Sequence, residues 1–164
     1  MKSETFLDKA VQDYNFSVNA WNHKLDDEAY LNNIGYFLQQ SVELAMKYTL
    51  ERNGVEYAKT HDIEQLLYKA HKSGIDMHAG EYIEEHAEMF TSWEAKTRYV
   101  VDYRIEMHKI EDAIEEVGEY LERLRTLEVE EIKQEEEQDK VNTETDQSND
   151  KTKSGNTDDV KTEE

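Results

Sequence analysis

The amino-acid sequence predicts an all-α fold, and two features of composition and one of patterning support that prediction. The chain has 164 residues, contains no proline and six glycines, and is 35% charged. Proline and glycine disfavour helix interiors most strongly, so their scarcity removes the usual interruptions. Apolar residues recur at helical spacing as far as Leu127, as on the buried face of an amphipathic helix. We therefore expect an antiparallel bundle of four or five helices in residues 1–132, followed by a disordered acidic C-terminal tail.

The first two helices are expected to pack at the centre of the bundle. In the first, apolar residues recur every three or four positions on one face. The second is apolar around most of its circumference, which is typical of a helix with neighbours on several sides. Asp and Gly residues near its ends match the preferences of N-terminal and C-terminal caps. The expected limits are Ser3 or Thr5 to Asn22 for the first helix, and Asp26 or Asp27 to Gly54 for the second.

Shorter helices are expected to follow, and a long one ends the bundle. Turn and capping residues mark most of their limits. The expected helices are one from Thr60-His61-Asp62 to Lys72-Ser73-Gly74, a short one between Ile75 and Phe90, one from a capping box of Thr91 and Glu94 to about Tyr103, and a last one that includes Ile110 and Leu124.

The C-terminal part of the chain is strongly acidic. From Glu128 onward it has fourteen Asp or Glu and five Lys, which is −9 of the net charge of −20. Residues 133–164 contain no aromatic side chain and cannot bury enough apolar surface to offset the entropy lost on ordering, so we expect disorder there. Such a tail keeps a protein in solution, or it mimics nucleic acid and occupies either a basic partner or the protein's own pocket. The overall charge also opposes non-specific binding to nucleic acid.

The composition argues against several kinds of site. Cysteine is absent, so disulfides and thiolate metal centres are excluded. The six histidines show no metal-ligand spacing such as HExxH, and no glycine-rich phosphate loop is present, so we expect no metal and no cofactor. The N-terminus lacks a signal-peptide pattern, and no stretch approaches the roughly 20 apolar residues that cross a bilayer. We expect a cytoplasmic protein without membrane contact.

Gln40, Glu43 and Lys47 form one polar strip on the second helix, because their spacing is i, i+3, i+7. Glu43 and Lys47 are placed for an intrahelical ion pair worth about 0.2–0.5 kcal/mol. Alternatively, Lys47 contacts a phosphate while Gln40 hydrogen-bonds a base or ribose edge.

Two further places in the sequence have side chains suited to anion binding. His61 follows Thr60 at a predicted helix start, where it could bind a phosphate, act as an acid or base, or bond a loop carbonyl and anchor the turn. Arg98 could pair with Glu94 or with Asp102 four residues away, or bind a phosphate. The neighbouring Tyr99 offers a ring on which a base could stack, although an aromatic beside valines is more often part of the core.

Three segments together resemble the HEPN domain family, a group of all-α domains named for nucleotide binding. They are FLQQSVELAMKYTLERNG at 37–54, THDIEQLLYKA at 60–70 and SWEAKTRYVVDY at 92–103. The resemblance implies a non-catalytic module that binds a nucleotide or RNA end between helices and pairs with a minimal nucleotidyltransferase, as in toxin–antitoxin systems. Separately, the helices carry more apolar surface than one small core requires, so we expect a homodimer that forms through exposed apolar helix faces. The binding residues that it implies are Gln40, Lys47, His61, Arg98 and Tyr99.

The sequence departs from the ribonucleases of this family. Their signature is Arg, four to six residues, then His, whereas only three residues separate Arg104 from His108. On one continuous helix these two side chains would share a face. This spacing argues against a nuclease, with a metal-independent ribonuclease that uses His61 or His108 as the alternative. A further alternative is a protein-interaction module that binds its partner through the acidic tail.

Overall fold

A computed structural model describes residues 3–23 and 27–150 of the chain, with side chains as far as residue 145. The described residues form six α-helices and no strand, so the all-α prediction is confirmed. One of the six helices has only five residues. The helix limits are α1 Phe6–Asn22, α2 Ala29–Arg52, α3 Ile63–Lys72, α4 Glu81–Glu85, α5 Ala87–Tyr99 and α6 Met107–Asp150.

Helices α1 and α2 pack antiparallel, as predicted. The Ser17 hydroxyl lies 3.4 Å from the carbonyl of Ile34, and the Ser41 hydroxyl donates to the carbonyl of Ala10 at 2.8 Å. Both serines are fully buried, and their small side chains let the two backbones approach closely. Helix α1 begins with a capping box, in which Thr5 and the N3 residue each accept a hydrogen bond from the other's backbone N–H.

Helix α2 is the centre of the fold, with fourteen buried residues. Gly54 has a φ of +65°, as expected for the residue that ends this helix. At the other end, Asp27 accepts a hydrogen bond from the N–H of Ala29, while the helix N-cap is Glu28, which makes no side-chain cap bond. Asp26 lies outside the described residues.

The prediction that α5 begins at Thr91 is wrong. Helix α5 begins at Ala87, and the Thr91 hydroxyl instead accepts a hydrogen bond from the N–H of Ile63 at 3.0 Å. Thr91 therefore caps α3 from a neighbouring helix, a role that sequence spacing cannot reveal. Helix α5 also ends at Tyr99 rather than near Tyr103, because Val100 is extended.

Helix α6 runs antiparallel to α1 over its first part. The Tyr14 hydroxyl donates to the carbonyl of Ile114 at 3.0 Å, and Arg125 pairs with Asp8 at 2.7 Å. The chain divides into two compact units after Arg125. Helix α6 extends to Asp150, beyond the expected end of regular structure near 132, and its residues 129–145 are exposed.

A helical segment without a buried face is only marginally stable in water, and residues 129–145 are such a segment. Disorder from residue 133 and a domain boundary at residue 132 therefore stay predictions. Residues 151–164 lie outside the described part. Across the described residues, no helix combines the length and apolar character needed to cross a membrane.

Candidate functional site

A single buried carboxylate organises the polar strip of α2. Glu43 is 3% exposed. It accepts hydrogen bonds from Lys47 Nζ at 2.7 Å, from His61 Nδ1 at 3.1 Å and from Gln39 Nε2 at 2.9 Å. We call these four residues the Glu43 cluster. Lys47 and His61, both predicted site residues, are therefore brought together by a residue that lies between them.

The lysine and the histidine of the cluster differ in exposure. The Lys47 side chain is 12% exposed and the His61 side chain 61% exposed. Because Nδ1 of His61 faces a carboxylate, Nδ1 donates, and Nε2 is the ring atom that faces a ligand arriving from solvent. The cluster thus presents one imidazole at the surface and holds one ammonium just below it.

Glutamine side chains connect this cluster to the rest of α2 and to the α2–α3 loop. Gln40 donates to Gln39 Oε1 at 2.9 Å, and Gln39 Nε2 also reaches the backbone carbonyl of His61 at 3.3 Å. Gln40 is therefore linked to Glu43 indirectly. The backbone contact also anchors the turn at His61, while the imidazole itself bonds Glu43 rather than a loop carbonyl.

Tyr57 borders the cluster on the loop side. Its ring centroid lies 5.9 Å from Lys47 Nζ, and its hydroxyl donates to Glu51 at 2.8 Å. Burial and the hydrogen bond to Glu51 raise the pKa of Tyr57 to about 12, so the phenol is neutral at physiological pH. An aromatic face beside an ammonium is suited to hold an aromatic ligand with an anionic group.

Arg98 and Tyr99 form a second group. Arg98 pairs with Glu94 and also donates through Nε to its carbonyl at 2.9 Å, which is the first of the two pairings considered above. The guanidinium carbon lies 5.3 Å from the ring centroid of Tyr36 and 4.9 Å from that of Tyr99. Tyr99, the last residue of α5, is 74% exposed and does not belong to the core.

Arg98 and Tyr99 lie at the end of α5, and Arg98 meets α2 at Tyr36, at a different height along α2 from the Glu43 cluster. Tyr36, against which Arg98 packs, precedes Glu43 by seven residues, or about 10 Å along the helix axis. Among the described residues, no hydrogen bond or ion pair joins the two groups. The structure therefore brings Lys47, His61 and Gln40 together and places Arg98 and Tyr99 about two turns away.

The expectation that Arg104 and His108 share a helix face is wrong. Helix α6 begins only at Met107, and Arg104 lies in the preceding loop, where it donates to the carbonyls of Val101 and Tyr103. His108 faces Glu106 at 3.5 Å. Within the part of the chain that the structure describes, no hydrogen bond joins Arg104 to His108.

Glu43 and Gln39 are functional candidates that the sequence reasoning missed. The spacing suggested Glu43 only as a surface partner for Lys47, because both lie on the strip opposite the apolar arc. The sequence did contain one indication that Glu43 is buried. Glu43 lies in a helix that is apolar over most of its circumference, where a charged side chain must be partnered. Which partner it would meet, eighteen residues away at His61, was not readable from spacing.

The helical fold, with its buried carboxylate holding a lysine and a histidine, defines an all-α domain with a polar centre on its central helix. A family model described as the HEPN domain matches residues 3–135. The chain belongs to the HEPN domain family. No curated protein and no solved structure matches it.

Proposed function

We propose that this HEPN domain is a non-catalytic module that binds a nucleotide or an RNA end at the polar strip of α2. In this proposal, Lys47 and His61 contact the phosphate. The observation that carries it is the Glu43 cluster, in which one buried carboxylate holds an ammonium and an exposed imidazole within 3.2 Å of its own oxygens. Both side chains are therefore preorganised before a ligand binds, which lowers the entropic cost of binding.

Donors remain for a phosphate after the internal contacts are made. An ammonium has three N–H donors, and Lys47 uses one of them on Glu43. A guanidinium has five, and Arg98 uses its Nε and one terminal nitrogen on Glu94. Arg98 meets α2 at Tyr36, about 10 Å along the helix axis from Glu43, so Arg98 and Tyr99 are in reach of a ligand longer than one phosphate. Gln40 lies between the two groups. This supports a nucleotide or strand end rather than a free phosphate ion.

Titration of the full chain with ATP, GTP and a short 5′-phosphorylated RNA at low salt tests the proposal. Lys47→Met and His61→Ala each remove a phosphate donor, and we expect each to weaken binding about tenfold, the effect of one charge-assisted hydrogen bond. Arg98→Ala should weaken the RNA more than the mononucleotides.

Lys109→Met is the matched control, because Lys109 is also ion-paired to a carboxylate close in the chain, that of Glu106 just before α6. It should leave all affinities unchanged. Wild-type protein that binds none of the three ligands would overturn the proposal.

We further propose that the partner of this domain is a minimal nucleotidyltransferase in a toxin–antitoxin-like pair, as the family resemblance implies. The adjacent open reading frame is the direct test. A nucleotidyltransferase gene beside this one, whose product co-purifies with this chain on co-expression, would support the pairing; a neighbouring gene of unrelated chemistry would contradict it.

A second candidate function, a metal-independent ribonuclease, is favoured by the geometry of His61. A carboxylate on one ring nitrogen with the other turned to solvent is the arrangement of a general base. Labelled RNA incubated with the chain in EDTA should then be cleaved, and His61→Ala should abolish cleavage whereas His108→Ala should not. Intact RNA under these conditions would leave the non-catalytic proposal standing.

A further inference from the structure

A groove of about 450 Å³ lies between the α2–α3 loop and α3. Its lining includes Tyr57, Thr60, Gln65, Tyr68 and Lys69. Tyr57 also packs near the ammonium of Lys47, and Thr60 directly precedes His61. The groove therefore adjoins the Glu43 cluster through two of its lining residues, and its volume is within the range of small-ligand sites.

Both aromatic rings of the groove have an ammonium nearby. Lys47 Nζ lies 5.9 Å from the ring centroid of Tyr57, and Lys72 Nζ lies 5.8 Å from that of Tyr68. Tyr68 is 63% exposed, which is unusual for a large ring on an amphipathic helix that buries Ile63, Leu66 and Ala70. The ring of Tyr68 contributes little to the core and is accessible to a ligand.

The segment that forms the groove also departs from the charge of the chain. From Glu56, which also lines the groove, to Lys72 it has three Lys and two His against one Asp and two Glu. The segment is therefore nearly neutral in a protein with a net charge of −20. Alternating aromatic and basic side chains are the usual means of binding nucleotides without sequence preference, through stacking on the base and attraction to the phosphate.

We propose that this groove is the nucleoside subsite of the same ligand, a nucleoside 5′-phosphate that is either free or the end of an RNA strand. The base stacks on Tyr68, Gln65 faces its polar edge, and Lys69 and the Glu43 cluster take the phosphate. This inference depends on the proposed function and adds residues to it that the sequence resemblance does not include.

Substitution of Tyr68 tests the contribution of the base to binding separately from that of the phosphate. Tyr68→Ala should weaken binding of AMP by about tenfold or more, the usual loss when a stacking ring is removed. Tyr68→Phe keeps the ring and should bind like wild type. The affinity for inorganic phosphate, measured by competition, should be the same in all three proteins, because phosphate binding needs only the cationic side chains. Tyr30→Ala, which removes a partly exposed ring outside the groove, is the matched control and should bind normally.

The outcomes distinguish this inference from the function on which it depends. Unchanged AMP affinity in Tyr68→Ala, together with a loss in Lys47→Met, would overturn the subsite while the proposed function stands. Absence of binding in the wild type would overturn both. A 5′-phosphorylated tetra-adenylate that binds at least tenfold more tightly than AMP would assign the groove to a strand end, and equal affinities would assign it to a free nucleotide. Unaltered thermal unfolding of Tyr68→Ala confirms that the variant is folded.

Discussion

At the scale of single residues, the buried carboxylate of Glu43 affects both the stability of the fold and the positions of its neighbouring side chains. A carboxylate that is 3% exposed would be costly if it stood alone, since burial of an unpaired charge is among the most unfavourable events in folding. Its three hydrogen-bond donors come from α2 itself and from the loop before α3. Glu43 therefore stabilises the junction of α2 with the α2–α3 loop and at the same time positions the two side chains proposed to bind phosphate.

Glu43→Gln should destabilise the protein by about 3 kcal/mol, because Lys47 would then be a nearly buried charge without a counter-ion. Urea unfolding measures this change. Glu106→Gln is the control, since the pair of Glu106 with Lys109 is exposed and its loss should not shift the midpoint. A midpoint for Glu43→Gln equal to that of the control would show that the cluster is not a structural support.

The Asp8 side chain makes the stability of the protein fall at acid pH. Hydrogen bonds from Arg125 and from Thr5 hold the pKa of Asp8 well below its ordinary value of 3.8. The folded state therefore favours the ionised carboxylate. Its contribution is complete at pH values above about 4 and is lost as the pH falls further toward the folded-state pKa.

Asp8→Asn should therefore lower the free energy of unfolding by about 1 kcal/mol at pH 7. The difference from wild type should shrink below pH 4. Asp13→Asn should behave oppositely, since burial raises the pKa of Asp13 and its ionised form opposes folding at neutral pH. Thermal unfolding of the three proteins between pH 3 and pH 7 measures both effects, and a pH-independent deficit in Asp8→Asn would contradict the assignment.

At the scale of helices, the contact of α1 with α6 depends on a close approach at Gly118. A Cβ atom at this position would lie 2.9 Å from Cζ of Tyr14 and would also meet the Tyr14 hydroxyl. That hydroxyl donates to the carbonyl of Ile114, so the ring cannot move away without losing a hydrogen bond. Gly118 is thus required by packing, although glycine is unfavourable inside a helix.

Gly118→Ala should destabilise the protein by about 1 kcal/mol, because overpacking of roughly 2 kcal/mol exceeds the gain of about 1 kcal/mol in helix propensity. Glu115→Ala, at an exposed position of the same helix, measures the effect of alanine without a clash. Denaturant unfolding distinguishes the two, and a more stable Gly118→Ala variant would mean that α1 and α6 can separate slightly at no cost.

At the scale of the whole molecule, large apolar side chains are exposed around the α5–α6 loop. Val100 is 49%, Val101 86% and Met107 51% exposed. Exposed apolar groups that are close in the chain often mark an interface. We propose that this patch contributes to the homodimer that the sequence suggests, with two copies related by a two-fold axis.

Light scattering at micromolar concentration should therefore show a dimer, and Val101→Glu should convert it to a monomer by placing like charges across the two-fold axis. Val141→Glu introduces the same change at another exposed valine, in the second compact unit, and should leave the mass unchanged. A monomeric wild type would contradict the proposal.

The sequence predicted most of the helices because their signals are local. The start of α1 at Thr5, the end of α2 at Gly54 and the limits of α3 depend on residues a few positions apart. The errors occurred where a distant residue intervened. Thr91 looked like the start of its own helix because the residue it caps, Ile63, is twenty-eight positions away. Arg104 and His108 appeared to share a face because nothing in their spacing shows that α6 begins after Arg104.

By itself, the sequence determined the all-α class, the central position of α2 and the candidate cations Lys47, His61 and Arg98, because periodicity and residue type are properties of short segments. Only the tertiary structure decided that Lys47 and His61 meet on the buried Glu43 while Arg98 packs on Tyr36 two turns away. The physical reason is that helix packing sets the distances between charges far apart in the chain, and the desolvation of Glu43 selects which of them must pair.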